Sequence, residues 1–104
     1  MKLLTVETLQ GERYEELGLV SGSTIQSKNF LSDFGQGLKS VVGGELKSYT
    51  AMMERARETA ISRMVEQAKA LGADAVIGIR FTTNSIMAQA AEVLVFGTAI
   101  RYKY

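Results

Sequence analysis

The chain has 104 residues, 46% of them hydrophobic and 22% charged, and twelve Lys/Arg against eleven Asp/Glu leave a net charge of +1. That length and composition fit one folded domain over residues 1–104 with a modest core, and they argue against disorder. Cys and His are both absent, so disulfides, thiolate catalysis, imidazole general bases and Cys- or His-ligated metal are all excluded.

The interspersed charges form no basic stripe for nucleic acid and no acidic tail. No segment approaches the roughly 20 apolar residues that span a bilayer, and the N-terminus lacks a leader-like pattern. The expectation is a cytoplasmic protein with neither nucleic-acid nor membrane partners.

In chain order, Met1–Gln10 alternates loosely and predicts a first strand, with a turn at Gly11 and Glu12. Glu16–Lys28 is rich in Val, Ile, Thr and Ser and predicts a second strand. Gly18 and Gly22 inside it signal a bulge or a close backbone approach, so the strand is bent or broken there. Phe30–Val42 places Phe30, Phe34, Leu38, Val41 and Val42 at helical spacings and predicts a short helix. Gly43-Gly44 then breaks the chain.

The clearest element is a helix starting at Leu46–Thr50 and ending at Leu71. Tyr49, Met53, Ala56, Ala60, Met64, Ala68 and Leu71 fall in one arc at 100° per residue, and charged residues lie on the far side. Gly72 sits where a left-handed cap would end it. Gln67, near the middle of that arc, is the one polar misfit, and a side chain capping a strand end explains it better than a ligand contact. Two strands follow, Asp74–Thr83 and Ala91–Tyr102, joined by a loop at Asn84–Ala90. On the last strand Leu94, Phe96, Ile100 and Tyr102 face one way and Val93, Val95 and Ala99 the other. Both faces are apolar, while one helix covers only one. The N-terminal elements or a neighbouring copy must cover the second.

Few residues carry chemistry. Asp33-Phe34-Gly35 matches a kinase triplet by chance, since the rest of that signature is absent. Gly35-Gln36-Gly37 lacks the third glycine of a dinucleotide loop. Gly43-Gly44-Glu45 before the long helix reads either as an anion-binding loop or as a simple turn. The turn fits better, because Glu45 would oppose an anion. Met52, Met53 and Met64 are thioethers, with Met53 and Met64 expected in the core. Arg80 interrupts an apolar strand on the side of Val76 and Gly78, and suits an ion pair between subunits better than an anion site. Gly43, Gly44, Glu45, Tyr49 and Arg80 are the candidate ligand-binding residues; no catalytic residue is identified and no cofactor is expected.

The segments Gly18–Gly22, Gly37–Glu45, Ala70–Phe81 and Gly97-Thr98-Ala99 resemble, in that order, the YbjQ-like family of uncharacterised bacterial proteins, once labelled UPF0145 and described as heavy-metal-binding. The resemblance covers essentially the whole chain. It implies an α+β, dodecin-like two-layer subunit with an antiparallel sheet on one long helix, and a ring-shaped homopentamer whose neighbours are joined by short extra strands. The metal label transfers poorly to a chain with neither Cys nor His. The leading expectation is a non-enzymatic oligomeric module that binds a small ligand or ion or acts as a scaffold. A metal-homeostasis protein and an enzyme with an inter-subunit carboxylate/Arg site are the alternatives.

Overall fold

The computed structural model describes residues 1–27, 42–87 and 90–104, and the side chains among them except those at 27, 42–49, 86–87 and 90. One long helix lies on a four-stranded mixed sheet. The elements are β1 (Lys2–Leu3), β2 (Tyr14–Ser27), α1 (Val42–Ala70), β3 (Ala75–Met87) and β4 (Ala90–Tyr102), with sheet order β1-β3-β4-β2. β2 and β3 flank β4 antiparallel, whereas β1 runs parallel to β3. The sheet is therefore mixed, not antiparallel throughout.

The ten-residue strand expected at the N-terminus shrinks to Lys2–Leu3, and the reason lies in β3. Gly78 has φ +63° and sits in a bulge between Ile77 and Arg80. Its N–H bonds Val6 O at 2.7 Å, and the next N–H, that of Ile79, bonds Leu4 O at 3.1 Å. Two successive donors facing one edge break the alternation that a regular ladder needs. The segment follows β3 by single bonds and packs Leu4 and Leu9 against Ala75, Ile77 and Ile100. It thus covers one end of the sheet face that α1 leaves open.

β2 is continuous, and its two glycines solve different problems. Gly18, at φ +128°, follows the bulge that sets Leu17 aside from the register. Gly22 is a close approach, since a Cβ there would stand 2.0 Å from Ala60 O and 2.5 Å from Met64 N. The loop expected at Asn84–Ala90 is mostly strand, because β3 runs to Met87 and β4 begins at Ala90. The helix expected at Phe30–Val42 lies outside the described residues, apart from Val42, which opens α1.

Gly43-Gly44 does not break the chain: α1 runs through both, and Glu45 and Tyr49 also belong to it. The helix ends as the sequence requires. Gly72 has φ +79°, its N–H bonds Lys69 O at 3.0 Å, and Ala73 N bonds Ala68 O at 3.0 Å, the double closure of a Schellman cap. Its inner stripe is Met52, Ala56, Ala60, Met64 and Ala68, all buried. Successive members are four residues apart, so the stripe drifts about 40° per step and winds as it follows the sheet. That drift corrects the straight arc of the sequence reading: Met52 is in the core, Met53 is only half-buried on a flank, and Leu71 is 46% exposed.

Val20, Val76, Ile79, Val95 and Ala99 meet the helix stripe to form the main core. The protomer is elongated: its radius of gyration is 17.1 Å and its extents are 58 × 25 × 18 Å. A compact domain of this length has a radius of about 13 Å.

Candidate functional site

The helix lies mainly over β2 and β4 and holds the outer edge of β2. Gln67 Oε1 accepts from Ser21 N at 2.9 Å, Arg63 donates to Ser23 O at 2.6 Å, and Thr24 Oγ1 donates to Ala56 O at 3.3 Å. Gln67 is thus a backbone cap, though at the middle of an edge strand and not at its end. By satisfying edge groups it makes that stretch a poor template for another strand.

Arg80 is placed on the face opposite the one expected. The bulge at Gly78 adds a residue, so Arg80 pairs in register with Phe96, on the side of Ile77 and away from Val76. Its guanidinium donates to Thr5 O and Ile79 O, each at 2.8 Å, and to Glu7 Oε1 at 2.8 Å. The ion pair is within the chain, and it pins the N-terminal segment to β3. A comparable pair, Arg101 with Glu15, joins β4 to β2 near the other end of that segment.

The five candidate ligand residues do not form one constellation. Gly43, Gly44, Glu45 and Tyr49 lie in the first turns of α1, on the helix layer, and the side chains of Glu45 and Tyr49 are outside the described set. Arg80 is beneath the opposite face of the sheet. Metal donors fare no better. Among the described residues no three carboxylates come together as a cation would require. The thioethers of Met52 and Met64 are buried in the core. With no thiolate or imidazole in the chain, the described donor set does not fit a soft heavy metal.

The open face of the sheet is different in kind. Leu19, Ser21, Ser23 and Ile25 of β2 align there with Thr98, Phe96, Leu94 and Glu92 of β4. The N-terminal segment covers only the Ala75–Ile100 end. Leu19 is 74% exposed and Ile25 64% exposed, beside Leu94 and Phe96, which are half-buried. The apolar character of this face in β4 is legible in the sequence. Leu19 and Ile25 are not singled out there, although their period-two offset from Val20, Gly22 and Thr24 is the signal that finds them.

Comparison with known proteins bears on the family and the fold. A family model described as "Putative heavy-metal-binding", YbjQ, matches residues 1–103. A UPF0145 protein of Clostridium novyi is 57% identical over 101 residues, covering 97% of this chain and 98% of its own length. One of Methanosarcina acetivorans is 51% identical over 102 residues, covering 97% and 96%. Such relatives come from archaea as well as bacteria, a wider range than a bacterial group. A crystal structure of a protein of unknown function of the DUF74 family from Pediococcus pentosaceus superposes with a TM-score of 0.70 at 16% identity. It covers 99% of this chain and 98% of that one, so the two share a fold.

Proposed function

We propose, for a chain that belongs to the YbjQ family, a non-enzymatic role as the subunit of a self-assembled ring, a pentamer of dodecin-like protomers that serves as a binding or scaffolding module. The observation that carries this reading is the open sheet face, where Leu19 and Ile25 stand in water beside Leu94 and Phe96. Burying apolar surface yields about 25 cal/mol per Å², and contiguous exposed patches mark interaction surfaces. The elongated shape supports it as well, because a radius of gyration of 17.1 Å leaves much of the protomer without neighbours of its own.

The family's description favours a second reading, a metal-binding protein. The donor chemistry weighs against it: a soft metal would have only thioethers, carboxylates and carbonyls. Neither the family description nor the relatives' names assign a reaction.

Native mass spectrometry of untagged protein, purified without a metal column, tests both readings. The expected species is a pentamer whose mass does not change after Cu(I), Zn(II) or Ni(II) is added and exchanged away. A monomer at every concentration would overturn the ring. A stoichiometric metal adduct that survives exchange would establish the second reading.

A further inference from the structure

Two apolar surfaces lie on opposite sides of the protomer, and each carries a charge with no partner among the described residues. On α1, Met53, Arg57, Ile61 and Val65 each follow a buried residue of the stripe, which turns them about 100° to one side of it. Arg63 and Gln67 each precede a buried residue, turn the other way and reach the edge of β2. The first set therefore flanks the side of α1 toward β3. Met53, Ile61 and Val65 are half-buried there, and Phe81 of β3, aligned with Val95 on the helix side, is 46% exposed. Arg57 is exposed and makes no hydrogen bond or ion pair among the described residues.

The other surface is the open face. Glu92 lies on it, in register with Ile25 on one side and Asn84 on the other. It is half-buried and likewise has no partner among the described residues. A half-buried carboxylate left unpaired beside an exposed apolar side chain is uncommon in a finished surface.

The two surfaces match in length and charge, and in level where Glu92 and Arg57 stand. Leu19 to Ile25 spans six strand residues, about 20 Å. Met53 to Val65 spans twelve helical residues, about 18 Å. The bond from Thr24 to Ala56 O sets that turn of the helix beside Thr24, whose partner on β4 is Val93. Arg57 and Glu92 therefore stand at nearly the same level along the strands. Rotation about an axis parallel to the strands keeps that level, so it carries one charge toward the other.

We infer that the open face of one copy seats on the β3-side flank of α1 in the next, with Glu92 against Arg57 and with Ile25, Leu94 and Phe96 against Met53, Ile61, Val65 and Phe81. The inference rests on the ring reading and gives it a residue-level junction. Because the two surfaces differ, the contact is head-to-tail, and such a contact makes a ring when its rotation closes and an open filament when it does not.

Charge reversal tests it, read by native mass spectrometry and light scattering, with circular dichroism to confirm the fold. Glu92→Arg and Arg57→Glu should each weaken assembly at least tenfold, and the double variant should regain most of the loss. An equimolar mixture of the two single variants should co-assemble where neither does alone, because both junctions between unlike copies pair opposite charges. A five-membered ring of the mixture keeps one like-charged junction and should be weaker than that of the wild type. Should a reversal unfold the chain, Glu92→Gln and Arg57→Gln carry the test, each expected to weaken assembly about threefold. Folded single variants that assemble like the wild type, or a folded double variant that fails to recover, would overturn this junction while leaving the ring intact. A monomeric wild type would instead overturn the ring reading itself.

Discussion

Leu19 and Val20 are neighbours in β2 and meet opposite fates. Val20 is 1% exposed under the helix, and Leu19 is 74% exposed on the other face. The difference follows from having two apolar sheet faces and a single long helix. Within an unbulged stretch alternation assigns each residue to a face, but it is silent on whether that face has a cover. On the covered face the chain supplies its own partner down to the backbone, since Gly22 admits the main chain of α1. On the open face the described residues supply Leu4 and Leu9, at one end.

The largest effect should come from the covered face. In Gly22→Ala the new methyl would stand 2.0 Å from Ala60 O, a backbone atom that no rotamer change can move. The helix must lift from β2, straining the bonds from Ser21 to Gln67 and from Thr24 to Ala56. Overpacking costs roughly 1–3 kcal/mol, and a clash against backbone belongs at the top of that range. Urea denaturation is expected to show a loss of about 3 kcal/mol. A loss below about 1 kcal/mol would mean that the helix floats over the sheet and that the two faces differ less than their burial suggests.

Much of this architecture is legible in the sequence, and the misses share a cause. The long helix and its glycine cap, the two C-terminal strands and the double apolar face of β4 all follow from spacing, because local geometry dictates them. Arg80 is misplaced because one inserted residue at Gly78 inverts the face of β3 residues from Arg80 to Ser85, and a bulge leaves little trace beyond its glycine. Met53 is taken for core because a straight 3.6-residue period ignores the winding of a helix over a twisted sheet. Glu92 carries no mark in the sequence, since its setting is made by strands remote from it along the chain. The candidate ligand residues scatter for the same reason: nothing in their spacing encodes which face of the sheet each will occupy.

A middle-sized effect should come from the clip that supplies the open face with its partial cover. Arg80→Ala removes donors to Thr5 O and Ile79 O as well as the pair with Glu7. The guanidinium is half-exposed, so water replaces much of what is lost, and about 1 kcal/mol is the expected cost. Glu7→Gln should lose less than half of that, because it removes the exposed ion pair and keeps both carbonyl contacts. Hydrogen exchange of the Leu4, Gly78 and Ile79 amides, which hold the segment to β3, should quicken in Arg80→Ala and hardly change in Glu7→Gln. Equal effects would show that the charge, and not the backbone capping, holds the segment.

The smallest effect on the protomer separates the two faces most sharply. Leu19→Ser changes a side chain that is three-quarters in water, and surface changes of that kind fall within about 0.5 kcal/mol. For a monomer the urea midpoint would then match the wild type at every protein concentration. For a ring it would not, because assembly stabilises the folded chain by mass action and makes the wild-type midpoint rise with concentration. The expected result is a concentration-dependent midpoint for the wild type and a flat one for Leu19→Ser, the two converging at high dilution. If both were flat, the open face would be open in solution too, and Leu19 would be an exposed leucine without a partner.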